Sequence, residues 1–222
     1  MLGATVGAGA GLAQWARTSP PRMRIARFVL GTILLVNELV WYWYYVHADW
    51  FVFPYTLPLQ LCDILVWIAI VTLFTTNRRT YELLYFWGLG GTSMALLTPD
   101  VNSPPFSYLT LRFLLSHGGI IIAIIVLTWG RLIQPQHGSI WRAFVGLHIY
   151  GGVVWFFNLL YGTNYFYLSE KPAEASLLDF MGPWPVYILI GDLLAFLVFW
   201  LLWLPWRKSA RGNGTSGSRA TT

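Results

Sequence analysis

A cysteine and a histidine are the residues of this sequence whose chemistry suits catalysis in apolar surroundings. Cys62 and His117 each stand in an apolar stretch. A thiol in such a place resists ionisation, so it needs a basic neighbour to become a nucleophile. An imidazole can take the thiol proton, and a carboxylate such as Asp63 or Asp192 could fix the imidazole tautomer. Because a nucleophilic thiol suits acyl transfer through a thioester, Cys62 and His117 form the candidate catalytic pair.

Each of these residues also has a structural interpretation. A single cysteine is often a small buried hydrophobic residue, and His117 could be a structural histidine. The other ionisable residues that we place in apolar stretches for a role are Glu38, Asp63, Arg112 and Asp192. Such residues either form ion pairs that fix helix register or line a wet cavity. No metal-ligand spacing is recognisable, so we expect no metal and no other cofactor.

The composition places these residues in a membrane. Of 222 residues, 56% are hydrophobic and only 10% are charged, whereas a soluble domain carries about 25% charged residues. The 13 tryptophans often stand near the ends of apolar runs, as in interfacial aromatic belts. The net charge of +5 is therefore interpreted as a topology signal, with no nucleic-acid partner. We predict an all-α, polytopic membrane helix bundle.

Six apolar stretches approach the roughly 20 residues that a membrane span needs. They are Ile25–Val46, Leu57–Phe74, Tyr81–Leu97, Leu109–Gly130, Phe144–Tyr161 and Trp184–Leu204. The predicted transmembrane domain, 25–206, follows a flexible leader, 1–24, and precedes a disordered basic and polar tail, 207–222. The Gly- and Ala-rich start of the leader has no basic segment before it, so we do not expect a signal peptide.

Basic residues give the spans an orientation. With the N-terminus inside, all of the 14 Lys and Arg residues except Arg112 and Lys171 fall on the inner side, as the positive-inside rule requires. We therefore predict cytoplasmic N- and C-termini. The catalytic pair and the four ionisable residues then lie in the outer halves of their spans, which predicts one outward-opening cavity. The loop between the fifth and sixth spans would be its lid, with Asn164, Tyr165, Lys171, Asp179 and Trp184 as lid or substrate-contacting residues.

Small residues in the third stretch have a structural interpretation only. Gly88, Gly91, Thr92 and Ala95 recur at helical spacing, which predicts a close-packing face for a neighbouring helix rather than a site. We predict no role for the remaining histidines, His47, His137 and His148.

Several motifs, taken in order, resemble a known family: the bacterial YwaF-like integral membrane proteins and their animal relative, transmembrane protein 164. The motifs are Leu57-Pro58-Leu59-Gln60-Leu61-Cys62-Asp63, Glu82-Leu83-Leu84-Tyr85-Phe86-Trp87-Gly88, Leu97-Thr98-Pro99-Asp100, Leu115-Ser116-His117-Gly118, Gly162-Thr163-Asn164-Tyr165, Lys171-Pro172, Ser176-Leu177-Leu178-Asp179 and Gly182-Pro183-Trp184-Pro185. Many members carry His where this chain has Gln60. The resemblance implies a bacterial plasma-membrane protein. It also implies an acyltransferase whose catalytic Cys and His correspond to Cys62 and His117.

Three functional hypotheses follow. The first is a membrane-embedded lipid acyltransferase or transacylase, whose partners would be a phospholipid acyl donor and a lyso-lipid acceptor. The second is a transporter or proton-coupled carrier in which the four ionisable residues form a relay, although no broken helices at equivalent positions in two halves are visible. The third is a non-catalytic membrane scaffold. Catalysis requires the Cys62 sulfur and a His117 nitrogen near hydrogen-bond reach, whereas transport requires a polar path across the midplane.

Overall fold

The computed structural model describes residues 1–97, 104, 106–172 and 177–207, and within these ranges it is helical without a strand. The α-helices are α1 (Leu2–Ala16), α2 (Pro20–His47), α3 (Leu61–Thr75), α4 (Arg78–Trp87), α5 (Ser93–Leu97), α6 (Tyr108–Trp129), α7 (Ser139–Tyr161) and α8 (Val186–Trp203). A π-helix, Gly88–Thr92, joins α4 to α5, and short 3-10 helices cover Tyr165–Tyr167, Leu177–Met181 and Leu204–Trp206. The predicted disordered tail after Arg207, and positions 98–100 and 176 of the family motifs, lie outside the described residues.

Every predicted span coincides with a helical segment, but not every segment has spanning length. In the described ranges, four helices are long and apolar enough to cross a membrane: Pro20–His47, Tyr108–Trp129, Ser139–Tyr161 and Val186–Trp206. Helix α3 is apolar but has 15 residues, which at 1.5 Å per residue gives about 22 Å against a hydrocarbon core of about 30 Å. The structure is thus an apolar membrane helix bundle, and the number six stays a prediction.

The N-terminal residues, which the sequence predicts to be a flexible leader, form helix α1 along α6. A Cβ atom at Gly118 would lie 3.6 Å from Thr5 Cγ2, and one at Gly9 would lie 3.0 Å from Ile125 Cδ1. Glycines and alanines permit this close approach of two helices, which is why a segment of low side-chain volume packs firmly. Because Gly118 lies halfway along α6, the chain before Arg17 runs back into the bundle.

Helix α6 occupies the centre of the fold. It packs against α1, α2, α3, α4, α5 and the π-helix. A glycine brings α2 close: a Cβ at Gly119 would lie 2.5 Å from Leu34 Cδ2 of α2. The main core cluster joins α2, α3, α4, α6, α7 and α8 through fully buried side chains such as Leu34, Leu65, Ala69, Ile120 and Ile124.

Helices α7 and α8 lie at the periphery and present apolar side chains outward. Val153 and Phe156 of α7 and Leu189 and Leu193 of α8 are 59–68% exposed. In a bilayer these surfaces face acyl chains, so their exposure is consistent with a membrane setting and needs no protein partner.

Capping residues determine where the site-bearing helices begin. Ser19 caps α2 and Pro20 occupies its first turn, where a missing N–H costs nothing. Asn77 caps α4 by accepting a hydrogen bond from the N–H of Arg79 at 2.8 Å. These caps satisfy N–H groups that lack an intrahelical partner, and they fix the axial positions of the residues that follow.

Candidate active site

Three of the predicted ionisable residues meet in a buried ionic cluster near the first turns of α3 and α6. Arg112 Nη2 lies 3.5 Å from Glu38 Oε2 and 3.7 Å from Asp63 Oδ1. The Glu38 side chain is fully buried, whereas those of Arg112 and Asp63 are 15% and 30% exposed. One guanidinium therefore faces carboxylates from two other helices and ties α2, α3 and α6 together.

Two polar side chains that were not among the predicted site residues contact Glu38 or each other. Ser116 Oγ donates to Glu38 Oε1 at 3.1 Å, and Asn37 Nδ2 donates to Ser116 Oγ at 2.9 Å and to Glu38 Oε1 at 3.3 Å. Ser116 follows Arg112 by four residues and so shares its helix face, which is the signal the sequence offered. Glu38 Oε2 and Arg112 Nε have no hydrogen-bond partner in the part of the chain that the structure describes.

An aromatic wall covers Arg112. Its guanidinium carbon lies 4.0 Å from the centroid of the Trp41 ring, a cation–π contact that gains strength when water is excluded. Trp41 in turn contacts Tyr45, with ring centroids 4.2 Å apart, and Tyr108, at 6.3 Å. The arginine is thus held between an indole face and two carboxylates.

His117 is oriented by its own helix. Its Nδ1 lies 3.0 Å from the carbonyl oxygen of Phe113, and the two rings stack with centroids 4.2 Å apart. Because a carbonyl only accepts hydrogen bonds, this contact requires the proton on Nδ1, and in the neutral imidazole it leaves the lone pair on Nε2. The orienting group is therefore the Phe113 carbonyl and not Asp63 or Asp192. Among the described residues Nε2 has no hydrogen-bond partner.

Cys62 and His117 lie on helices that pack against each other, α3 and α6, and no hydrogen bond joins them in the described structure. Cys62 is a free thiol. Ala69 follows Cys62 by seven residues and Ile124 follows His117 by seven, an interval that returns to nearly the same helix face. Both are buried in the main core cluster, whereas Ile121, one turn after His117, belongs to the second cluster together with residues of α1. The proximity of the Cys62 and His117 side chains therefore stays a prediction.

The π-helix adds a buried hydroxyl to this region. A Cβ at Gly88 would lie 2.8 Å from Ile124 Cδ1, and one at Gly91 would lie 3.5 Å from Leu61 Cδ2, so the segment packs between α6 and α3. Thr92 is fully buried, and its Oγ1 has no hydrogen-bond partner in the described ranges. The glycines agree with the predicted packing face. A packing face does not explain the unpaired hydroxyl, and π-turns are frequent at functional sites.

The loop after α7 is hydrogen-bonded to the segment that precedes α3. The Tyr165 phenol donates to the Pro54 carbonyl at 2.7 Å and accepts from the Leu57 N–H at 2.9 Å. Burial raises the pKa of this phenol, so it remains a donor at neutral pH. Gln60 stands two residues before the candidate nucleophile, and its Oε1 accepts a hydrogen bond from the Phe166 N–H at 2.9 Å. Gln60 therefore has a structural contact of its own here.

The other predicted lid residues connect parts of the segment between α7 and α8 to one another. Asn164 Nδ2 donates to the Glu170 carbonyl at 2.9 Å. Lys171 Nζ lies 3.9 Å from Asp179 Oδ1, and Trp184 Nε1 donates to a loop carbonyl at 3.1 Å. These contacts order the loop, and direct contact with a substrate stays a prediction.

Asp192, predicted to line the same polar cavity, pairs with His148 instead. The His148 Nε2 atom lies 3.2 Å from Asp192 Oδ1 and 3.3 Å from Oδ2. Both side chains are substantially exposed between α7 and α8. The sequence could not show this because α8 is apolar on every face except at Asp192, so its rotation about its own axis is not encoded in a periodic pattern.

A second buried ion pair lies toward the other end of the bundle. Glu82 accepts two hydrogen bonds from Arg142, both of 2.6 Å, and a third from Ser139 Oγ at 2.9 Å. This bidentate geometry is strong and directional, and it fastens α4 to the first turn of α7. Among the described residues no group of three His, Cys, Asp or Glu side chains is placed to hold a metal ion.

Together, the apolar helices of spanning length and the buried polar cluster define an integral membrane helix bundle. Within that class, the TMEM164 family profile matches residues 1–203, and the chain belongs to this family. An uncharacterized protein of Treponema pallidum (strain Nichols) is 27% identical over 158 residues, which are 71% of this chain and 65% of that relative. No solved structure matches the chain.

Proposed function

We propose that the protein is a membrane-embedded lipid acyltransferase or transacylase, with Cys62 as nucleophile and His117 as general base and acid. The observation that carries this proposal is the His117 tautomer: its Nδ1 is engaged by the Phe113 carbonyl, so Nε2 is ready to accept a proton. The packing of α3, which carries Cys62, against α6 supports it, and so does the resemblance that implies the same two residues.

The proposed reaction has two halves. First, His117 Nε2 takes the Cys62 proton while the sulfur attacks the ester carbonyl of a phospholipid. The ester C–O bond breaks, a thioester forms, and the leaving alcohol receives the proton from His117. Second, a lyso-lipid hydroxyl loses its proton to His117 and attacks the thioester; the C–S bond breaks and the thiolate recovers the proton. General acid–base help of this kind contributes about 10²–10⁴-fold in rate.

The surroundings suit this chemistry. In the proposal the Thr92 hydroxyl donates to the carbonyl oxygen on which negative charge develops, the type of interaction that stabilises acyl-transfer transition states most. The ionic cluster of Glu38, Asp63 and Arg112 fixes the relative positions of α2, α3 and α6. The loop fastened by Tyr165 limits access of water to the thioester.

The same ionic cluster favours one alternative, a proton-coupled carrier, because a fully buried carboxylate such as Glu38 is typical of ion pathways. In that case Cys62→Ala would leave activity unchanged and Glu38→Gln would abolish it. The pairing of Asp192 with His148 counts against the four-residue relay that the sequence suggested.

The test is acyl transfer in proteoliposomes that contain a phospholipid with a labelled acyl chain and a lyso-lipid acceptor. We expect labelled product from the wild type and a labelled thioester on Cys62 in its intact mass. Cys62→Ala should remove both signals, and His117→Ala should slow transfer by about 10²–10⁴-fold.

His148→Ala is the matched control. The His148 Nδ1 contacts the carbonyl four residues earlier, at 2.9 Å, as His117 does, but the ring lies between α7 and α8. We expect this variant to retain transfer. Full activity in Cys62→Ala, with the protein folded and inserted, would overturn the proposed mechanism.

We also propose six membrane spans, formed by α2, α3, the α4–π–α5 segment, α6, α7 and α8, in a bacterial plasma membrane. The arginine-rich end, which includes the chain at Arg17 and Arg207, would be cytoplasmic under the positive-inside rule. The residues before Arg17 run back along α6, so the predicted cytoplasmic position applies to the α1–α2 turn and to the C-terminal end.

A further inference from the structure

A cleft of 280 Å³ opens at the end of the bundle away from the ionic cluster. It lies between α1, the last turn of α6 and the 3-10 helix after α8. Its polar and aromatic lining comes from Gln14, Arg17, Trp129, Arg131, Gln134 and Trp206. Trp206 is held in place because its Nε1 donates to the Tyr85 hydroxyl at 2.9 Å. This hydrogen bond fixes the position of one wall of the cleft.

Two arginines of the cleft have no protein partner within the described ranges. Neither the Arg17 nor the Arg131 side chain makes an ion pair or hydrogen bond there. Other arginines at this end are engaged: Arg27 donates to the Leu73 carbonyl at 2.9 Å, and Arg142 binds Glu82. Arg17 and Arg131 are thus cations available to a ligand.

The backbone of Arg131 supports this interpretation. Its φ of 60° lies in the left-handed region, where a long side chain is uncommon. Backbone strain of this kind persists when the surrounding structure requires it and is frequent at ligand sites. Here the left-handed residue terminates α6. It is an arginine that lines the cleft, whereas glycine or asparagine is usual in this conformation.

The whole end of the molecule attracts anions. Arginines occupy the helix ends that meet here: Arg17, Arg22, Arg24, Arg27, Arg78, Arg79, Arg131, Arg142 and Arg207. In the described helices the carboxylate that lies among these arginines is Glu82, and its charge is neutralised by Arg142. Such a field concentrates anions at the surface, and basic pockets between membrane helices bind anionic lipid headgroups.

We propose that this cleft binds the phosphodiester headgroup of an anionic phospholipid, with Arg17 and Arg131 facing the phosphate. The amides of Gln14 and Gln134 supply hydrogen bonds for the glycerol region. The alanine side chains of α1 and the ring of Trp129 form an apolar wall on which the start of an acyl chain can lie. Because the cleft lies at the other end of the bundle from Cys62, this site is independent of the proposed catalysis.

The test counts lipids retained by the purified full chain in native mass spectrometry, with phosphatidylglycerol or phosphatidylcholine supplied in mixed micelles. We expect preferential retention of one phosphatidylglycerol. The double variant Arg17→Gln/Arg131→Gln should weaken this binding by about fivefold for each arginine removed, the factor that follows from about 1 kcal/mol per arginine. Phosphatidylcholine retention should not change.

The matched control is Arg24→Gln/Arg78→Gln, which removes the same charge from exposed positions at the same end, outside the cleft. Equal loss in the control would show a diffuse field effect and overturn the site. No loss in the cleft variant would overturn it as well. Inorganic phosphate titrated into detergent-solubilised protein separates the two sources: displacement of the lipid at low millimolar phosphate would refute lipid recognition, and retention would support it.

Discussion

At the scale of single residues, Arg112 determines how the buried charge of the bundle is balanced. It lies within 4 Å of both Glu38 and Asp63, and one face is covered by Trp41. The residue types of this cluster could be predicted because ionisable groups in apolar helices must find partners. The contribution of Asn37 and Ser116 could not, since it depends on the exact distance between α2 and α6.

We predict that Arg112→Met destabilises the protein by about 3–5 kcal/mol, because it leaves two buried or half-buried carboxylates without a counter-ion. The measurement is chemical unfolding in detergent, followed by the loss of helical circular dichroism. Arg24→Met, at an exposed position of α2, should change stability by less than about 0.5 kcal/mol. Equal stability of the two variants would contradict a central role for the cluster.

A second residue-scale prediction concerns the Thr92 hydroxyl. Thr92→Val keeps the shape and removes an oxygen without a protein partner, so the stability of the folded protein should be unchanged or slightly higher. If the hydroxyl serves the transition state, acyl transfer should fall by on the order of 10²-fold, whereas Thr92→Ser should retain most of the rate. Unchanged transfer in Thr92→Val would leave Thr92 as a packing residue.

At the scale of elements, hydropathy predicted the positions of the apolar helices well, because burial in lipid selects long apolar runs. It did not predict helix α1, whose glycines and alanines gain stability only when they pack against α6. It did not predict the π-turn either, since a single irregular turn has no periodic signature. The rotation of α8, and so the partner of Asp192, was equally inaccessible.

The close packing of α2 on α6 gives a prediction at this scale. Gly119→Ala should destabilise the bundle by about 1–3 kcal/mol, because the new Cβ would lie 2.5 Å from Leu34, which is fully buried. Gly151→Ala on α7 meets nothing within 4 Å and should be neutral or stabilising by up to about 1 kcal/mol. Unfolding of the two variants in the same detergent measures the difference, and a destabilised Gly151→Ala would reveal an unseen partner for α7.

At the scale of the whole molecule, the two ends of the bundle differ in charge and content. One end carries the ionic cluster, Cys62 and the loop that is hydrogen-bonded through Tyr165. The other carries the unpaired arginines and the cleft. An asymmetric charge distribution of this kind orients a helix bundle in a membrane, so the proposed acyl chemistry would take place in the outer leaflet and lipid binding in the inner one.

Cysteine accessibility tests this orientation. In a Cys62→Ser background, Ser169→Cys in the loop and Arg207→Cys at the end of α8 place one thiol at each end of the molecule. In intact cells a membrane-impermeant maleimide should label Ser169→Cys and not Arg207→Cys, and permeabilisation should make both reactive. The physical reason is that the opposite orientation would require the arginine-rich end to cross the membrane. That crossing would desolvate several cations. The reverse labelling pattern would invert the bundle. It would then place the anionic-lipid cleft in the outer leaflet and open the Cys62 region toward the cytoplasm.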